Sequence, residues 1–253
     1  LNKVIFVGAG PGDPELITIK GKKAIDEADI IIYAGSLVNE KVLEGCKESA
    51  KIYNSAGMHL HQVLDVMVKG IEDNKHVVRV HTGDPSIYGA IKEQMDALEA
   101  KHIAFEVIPG VSSFCGAAAA IKKEFTLPNV SQTVILTRIE GRTPVPEKES
   151  LGSLASHGAS MAIFLSVGMM HKVVGELGKH YPMTTPIAVI QRATWEDEKI
   201  LIGTLETIAD QVEAAGITKT AQILVGDFID CDYELSKLYD QHFTHEYRKA
   251  VDV

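Results

Sequence analysis

Val4-Ile5-Phe6-Val7-Gly8-Ala9-Gly10-Pro11-Gly12-Asp13-Pro14-Glu15-Leu16-Ile17-Thr18-Ile19-Lys20-Gly21 reads as a buried strand, a glycine-rich turn and the start of a helix. That order opens an α/β sheet, and its G-x-G-x-x-G form holds dinucleotides. Here the details depart from that form. Asp13 stands where the third glycine belongs and would set a negative charge beside a pyrophosphate. Pro11 removes a backbone donor from the turn. The second strand, Asp29–Tyr33, ends in Ala34-Gly35-Ser36, so no carboxylate follows it to take a ribose hydroxyl. The turn suits a ligand without phosphate better than it suits a nicotinamide dinucleotide. One glycine turn alone is also what an ordinary tight turn looks like, so the reading depends on the rest of the chain.

Outward from this unit, strands and helices alternate. A helix is expected at about Leu16–Glu27, a short helix at Glu40–Cys46 and a short strand at Lys51–Tyr53. Leu60, Val63, Leu64, Met67, Val68 and Ile71 follow i, i+3, i+4 spacing, which predicts an amphipathic helix. Strands are expected at His76–Val80 and Phe105–Ile108, with helices at Tyr88–Ala100 and Cys115–Lys122. Such alternation means a mostly parallel sheet. Lys123–Ser131 is polar, contains Pro128, and reads as a linker. Beyond it, Gln132–Thr137, Ser160–Leu165, Ile187–Ile190, Lys199–Gly203 and Gln222–Gly226 read as strands. Helices are expected near Glu149–Ser156, across Met170–Leu177 and at Leu205–Ala214. Gln191–Glu198 is too short for a helical crossover, so the strands on either side of it should be antiparallel. In the tail, Leu235, Leu238, Tyr239, Phe243 and Tyr247 have helical spacing. The expected fold class is therefore α/β. An N-terminal domain over 1–123 holds the glycine-rich loops, a C-terminal α/β domain with a mixed sheet spans 132–232, and 233–253 is a helical tail.

Composition narrows the function. With 253 residues, 45% of them hydrophobic, the chain can bury a real core. A net charge of −9 disfavours a non-specific nucleic-acid surface. Cys46, Cys115 and Cys231 are odd in number and widely spaced, which argues against a disulfide framework or a thiolate metal site and fits a reducing cytoplasm. No apolar run approaches the roughly 20 residues of a membrane span, and the first strand is too short for a signal-peptide core. His59-x-His61 has strand-like ligand spacing, but it lies at a helix start, where side chains two apart diverge, so no protein metal site is expected.

Ligands of open α/β sheets bind beyond the carboxyl ends of the strands. Three loops of the first half stand there: Gly8–Asp13, Thr82-Gly83-Asp84-Pro85-Ser86-Ile87-Tyr88-Gly89, and Pro109-Gly110-Val111-Ser112-Ser113. Glycines let a ligand come close to backbone. In this order the three motifs resemble those of the tetrapyrrole (corrin/porphyrin) methylases, and the resemblance runs from Lys3 to about Ile229. It implies methyl transfer from S-adenosylmethionine, giving S-adenosylhomocysteine. It also implies two α/β domains with the cofactor folded into the cleft between them, and a homodimer. Carried over by position, the cofactor contacts would be Pro11, Thr82, Gly83, Asp84, Ile87, Ser112 and Ser113, then Leu165, Ala193 and Ala221. Siroheme-type relatives carry an Asp after the tyrosine of the second strand. This chain has Ala34 there, so no catalytic base is identified.

A cofactor without phosphate loses little from the missing donor at Pro11, and Asp84 near a sulfonium or amine would be favourable, though the same residue could simply cap a helix. The substrate implied is a polycarboxylate macrocycle, and any cobalt would arrive inside it. Arg138, Arg142 and Arg192 follow expected strand ends and suit carboxylates through their planar fork, although each could equally be a solvated loop charge. Tyr88 and Met169-Met170 could pack on a ligand or on the core. The resemblance leaves more than one ring position of a tetrapyrrole open to methylation, and other readings are a methyltransferase of the same fold acting on RNA or protein, a nicotinamide-dependent dehydrogenase, and a non-catalytic binding module. The acidic charge weighs against the first, Pro11 and Asp13 against the second, and three converging loops against the third.

Overall fold

The computed structural model describes residues 3–251. Residues 1, 2, 252 and 253, at the outer ends of the expected first domain and tail, lie outside the described residues. Contacts divide the chain into two compact units, Leu1–Gly116 with Arg192–Glu198, and Ala117–Gln191 with Lys199–Val253.

The first unit holds strands β1 (Lys3–Gly8), β2 (Ile30–Tyr33), β3 (Lys51–Asn54), β4 (Val77–His81) and β5 (Ala104–Ile108) in the order β3-β2-β4-β1-β5. Every pairing is parallel. Helices α1 (Ile19–Asp26), α2 (Leu60–Glu72) and α3 (Lys92–Glu99) connect the strands, and α4 (Ser113–Ala120) follows β5. All four residues of β2 and all five of β4 are buried, as strands covered on both faces must be. One face packs Val7, Ile25, Ile31, Val78 and Val80, and the other packs Val4, Phe6, Ile32, Met67 and Leu98. Thr18 starts α1 by accepting from the Gly21 N–H at 3.1 Å. Gly21 then lets the helix lie close to β1, because a Cβ there would come within 2.9 Å of Val7 Cγ1.

The second unit holds β6 (Val134–Arg138), β7 (Ser160–Phe164), β8 (Pro186–Gln191), β9 (Lys199–Thr204) and β10 (Ala221–Val225) in the order β6-β7-β10-β8-β9. β6 and β7 are parallel, and the remaining pairs are antiparallel, including β8 with β9 as the short connection requires. Helices α5 (Leu151–Ala155), α6 (Met170–Leu177) and α7 (Ile208–Ala214) cover a core that includes Met161, Ile163, Val173, Leu177, Val189 and Ile223. No helix among the described residues is long and apolar enough to cross a membrane.

Several expectations change. Lys123–Ser131 is packed rather than a free linker: Ser160 donates its hydroxyl to the Phe125 carbonyl at 2.8 Å and its N–H to Ser131 Oγ at 3.1 Å. The division between units falls earlier, inside α4. The helix expected from Tyr88 begins only at Lys92, because Tyr88 and Ala90 take φ of +55° and +49°, outside the right-handed helical region. The tail is not an α-helix. Over 233–251 it has one short 3-10 turn, Lys237–Tyr239, and Leu235, Leu238, Tyr239, Phe243 and Tyr247 stay exposed. A helical apolar stripe without a surface to bury it lacks the term that stabilises most protein helices.

The rings of His59 and His61 lie 6.2 Å apart, centroid to centroid, at an interplanar angle of 74°. His59 begins α2 in a reciprocal cap: its Nδ1 accepts from the Gln62 N–H at 3.4 Å, and Gln62 Oε1 accepts from the His59 N–H at 3.1 Å. His59→Ala should therefore lower stability by about 0.5–2 kcal/mol, the usual worth of an N-cap, as read from the urea midpoint.

Candidate functional site

β4, β1 and β5 are neighbours, so the loops that leave their carboxyl ends meet. They meet backbone against backbone. Gly83 N–H donates to the Gly10 carbonyl at 2.8 Å, Gly10 N–H to the Gly83 carbonyl at 3.3 Å, and Ala9 N–H to the His81 carbonyl at 2.8 Å. Gly10 and Gly83 take φ of +82° and +60°. A Cβ on Gly8 would lie 2.6 Å from both Gly110 N and Gly83 O, and one on Gly110 would lie 2.2 Å from Gly83 O. These positions require glycine because another main chain occupies the space of a side chain.

Asp84 clamps the second loop to the third. One carboxylate oxygen accepts from the Gly110 N–H at 2.9 Å, and the other accepts from the Ser86 N–H at 2.8 Å and from the Ser86 hydroxyl. Burial pushes the Asp84 pKa up, but the bonds from Ser86 and Gly110 outweigh it and hold the carboxyl below its usual value. Asp84 thus shapes an Asx-type turn and caps no α-helix. Thr82, Gly83, Ile87, Ser112 and Ser113 lie in the same interlocked loops, with Gly83 and Ser112 buried.

The first turn is filled in by residues far away in sequence. Pro11 and Gly12 are buried. The Pro11 ring lies where a Cβ on Gly116 would reach it at 2.9 Å. The Pro11 carbonyl accepts from the Trp195 indole N–H at 3.1 Å, the Gly12 carbonyl from Asn39 Nδ2 at 2.9 Å, and Thr194 Oγ1 from the Asp13 N–H at 3.0 Å. Asp13 uses its carboxylate to accept from the Glu15 N–H at 2.9 Å, capping the short turn Pro14–Leu16. Ala193 is buried beside these residues in the Arg192–Glu198 strap. Sequence reasoning missed Trp195, Thr194 and Asn39. The only available signal was the chain's single tryptophan, placed in a linker of a few residues.

In the second unit, register places the other expected residues at one end of the sheet. Arg138 pairs with Phe164, Ala221 pairs with Gln191, and Leu165 directly follows β7. Leu165 is 68% exposed with φ +53°, an uncommon combination for a leucine. A cavity of about 230 Å³ lined by Ser131, Ser160, Tyr181, Thr185 and Asp227 lies at the opposite end, where β7 begins, and so away from these residues. Met170 is core, whereas Tyr88 is 46% exposed.

The three arginines differ. Arg138 donates to the carbonyls of Thr143 at 3.1 Å and Pro144 at 2.7 Å, stapling its own loop. Arg192 stacks on Trp195 at 3.8 Å and donates from Nε to Asp197 at 2.6 Å. Arg142 lies in the exposed stretch 140–144 and has no hydrogen bond or ion pair among the described residues. Below the second loop, β4 buries Arg79 and His81. Arg79 donates to Ser55 Oγ at 2.9 Å and to the Ile32 carbonyl at 3.3 Å, while His81 Nε2 has no partner among the described residues. Burial first, and then the Arg79 charge, push His81 down to about 3. Tyr33, at the end of β2, donates to Glu40 at 2.6 Å, and this bond raises its pKa, so it stays neutral. Three exposed groups of the second unit, His171, Asp210 and Glu213, place possible metal-ligand atoms within 4.8 Å of one another, on α6 and α7.

The family described as Tetrapyrrole (Corrin/Porphyrin) Methylases matches residues 3–209. The chain is 63% identical over 250 residues to cobalt-precorrin-4 C(11)-methyltransferase of Methanocaldococcus jannaschii, covering 98% of this chain and 96% of that one. It is 45% identical over 246 residues to precorrin-4 C(11)-methyltransferase of Pseudomonas aeruginosa, covering 97% and 98%. The X-ray structure of the cobalamin biosynthetic enzyme cobalt precorrin-4 methyltransferase, CbiF, superimposes with a TM-score of 0.88 at 46% identity, covering 90% of this chain and 96% of that one.

Two outcomes follow from this geometry. Gly110→Ala should destabilise the protein by about 1–3 kcal/mol or more, since backbone cannot yield as a side chain does. Gly57→Ala meets nothing within 4 Å and serves as the neutral comparison in the same urea titration. His81 sets a pH dependence. An unfolded histidine takes up a proton near 6.5, whereas the folded one refuses it down to about 3. Its contribution is absent above pH 6.5 and increasingly destabilising as pH falls from there. His81→Leu should remove roughly 2 kcal/mol of the stability lost between about pH 7 and about pH 5, measured by unfolding at each pH.

Proposed function

The chain belongs to the tetrapyrrole (corrin/porphyrin) methylases, and from that premise we propose that it is an S-adenosylmethionine-dependent C-methyltransferase acting at C-11 of precorrin-4, or of its cobalt form, in cobalamin biosynthesis. The observation that carries the choice of cofactor is the engagement of most of the first turn's own donors. The N–H groups of Ala9, Gly10, Asp13, Glu15 and Leu16 are all bonded within the protein, and Pro11 and Pro14 have none. An anion-binding helix start depends on such groups being free. A pyrophosphate has little to gain at this turn, whereas a sulfonium nucleoside asks for no phosphate cradle. The ring position rests on the relatives at 63% and 45% identity, and on Tyr33-Ala34-Gly35-Ser36-Leu37-Val38 and Thr137–Pro146, which resemble the C-11 enzymes.

S-adenosylmethionine supplies an activated methyl group, whose transfer breaks a sulfur–carbon bond and forms a carbon–carbon bond. What the chain supplies is position. Alignment of two reactants can contribute up to roughly 7–11 kcal/mol without a catalytic acid or base. The interlocked loops carrying Thr82, Gly83, Asp84, Ile87, Ser112 and Ser113 are rigid for the reasons given above, and we assign them, with Pro11, Leu165, Ala193 and Ala221, to the cofactor. Of the three arginines, Arg142 has the uncommitted guanidinium and is assigned to a substrate carboxylate.

Precorrin-4 and its cobalt form, incubated with the protein and methyl-labelled cofactor, should each be tested by NMR for a new methyl at C-11. A methyl on any other ring carbon sinks the assignment. S-adenosylhomocysteine should bind in a calorimetric titration in which NAD gives no heat. Arg142→Ala should raise the KM for the tetrapyrrole by roughly tenfold or more, the worth of a charge-assisted hydrogen bond, and leave cofactor affinity unchanged. An unchanged tetrapyrrole KM removes Arg142 from the substrate site.

A further inference from the structure

The turn Pro11-Gly12-Asp13 is not held by its own strand and helix alone. The strap Arg192–Glu198 leaves β8, packs on that turn, and returns as β9. Trp195 donates its indole N–H to the Pro11 carbonyl, and its ring lies so close to Gly12 that a Cβ there would fall 2.1 Å from Cδ1. Thr194 accepts from the Asp13 N–H. The strap is itself braced: Thr194 N–H donates to Glu198 Oε2 at 2.6 Å, Arg192 stacks on the indole, and Glu196 pairs with Lys41. Arg192 and Thr194 hold φ of +52° and +70°. A β-branched residue in that region is a true outlier, and such backbone persists only where surroundings impose it, most often at functional sites.

We propose that Trp195, seconded by Thr194, is a positioning residue for the methyl donor: it fixes the orientation of the Pro11-Gly12-Asp13 turn from outside, and its surroundings change when the donor binds. The proposal rests on the reading that this turn belongs to an S-adenosylmethionine site. Asn39 holds the Gly12 carbonyl independently. Losing the indole N–H therefore leaves the turn attached but no longer fixed, and the loss falls on donor affinity. Trp195 reaches the donor only through the turn, so it is not a catalytic residue.

Because the chain has a single tryptophan, its emission reports this position alone. Titration of the full chain with S-adenosylhomocysteine should shift that emission in step with the calorimetric isotherm. Trp195→Phe keeps a ring over Gly12 and removes the donor atom. It should weaken S-adenosylhomocysteine binding and raise the KM for S-adenosylmethionine by roughly five- to tenfold, as loss of one hydrogen bond does, with the tetrapyrrole KM unmoved. Thr194→Val, which removes the acceptor for Asp13, should act in the same direction, while Thr194→Ser restores wild-type affinity. If Trp195→Phe does not fold, the threonine pair carries the test. Wild-type binding by calorimetry, combined with unchanged donor affinity in Trp195→Phe or, failing that, in Thr194→Val, overturns the proposal and leaves the functional reading standing. No calorimetric binding by the wild type overturns both.

Discussion

Three strand ends brought into backbone contact govern the rest of this structure. Gly8 and Gly110 each occupy space where a neighbour's main chain would clash with any Cβ, and Gly83 between them takes a φ of +60° that favours glycine. Close packing of that kind leaves the loops one arrangement, because none can move without displacing the other two. Parallel pairing of β4, β1 and β5 is what brings them together. Asp84 then converts proximity into attachment by taking an N–H from the third loop while turning its own. A binding surface made from such loops is rigid before any ligand arrives, which is what a reaction limited by alignment requires.

Much of this was legible in advance. The apolar runs, their spacing and the glycines between them placed β1, β2, β4 and β5 to within a residue or so, and the short gap after β8 fixed the antiparallel pair. These features are local in sequence. What escaped was long-range. Nothing near Pro11 announces Trp195, because a hydrogen bond between residues 184 positions apart leaves no periodic trace. The tail failed for the converse reason. Its helical spacing is real, yet spacing states only which face a helix would bury, and among the described residues Leu235 and Tyr239 stay exposed. Lys123–Ser131 looked like a linker from its polarity, but Ser131 and Phe125 spend their polar atoms on Ser160.

The acidic and basic residues of the site act mainly on the protein itself. Asp13 and Asp84 cap turns and receive main-chain N–H groups, so their charges are partly neutralised by dipoles rather than left bare toward a ligand. Arg138 and Arg192 are similarly engaged, one with carbonyls and the other with Asp197 and an indole. Sequence position at a strand end therefore does not tell an arginine engaged within the protein from one that is not. An arginine already holding two carbonyls must give them up to hold a carboxylate, and the exchange yields less than a new bond would.

That argument reverses the ordinary expectation for an acidic chain with a polycarboxylate substrate. Attraction of the substrate cannot come from net charge, which is −9. It must be local, and a local cation is most effective where it is uncommitted and long enough to follow its partner. Arg142, in the exposed stretch 140–144 tethered by Arg138, meets both conditions. On the proposed function, Arg138, which holds the Thr143 and Pro144 carbonyls, shapes the loop, and Arg142, which has no hydrogen bond or ion pair among the described residues, is the arginine left for a carboxylate.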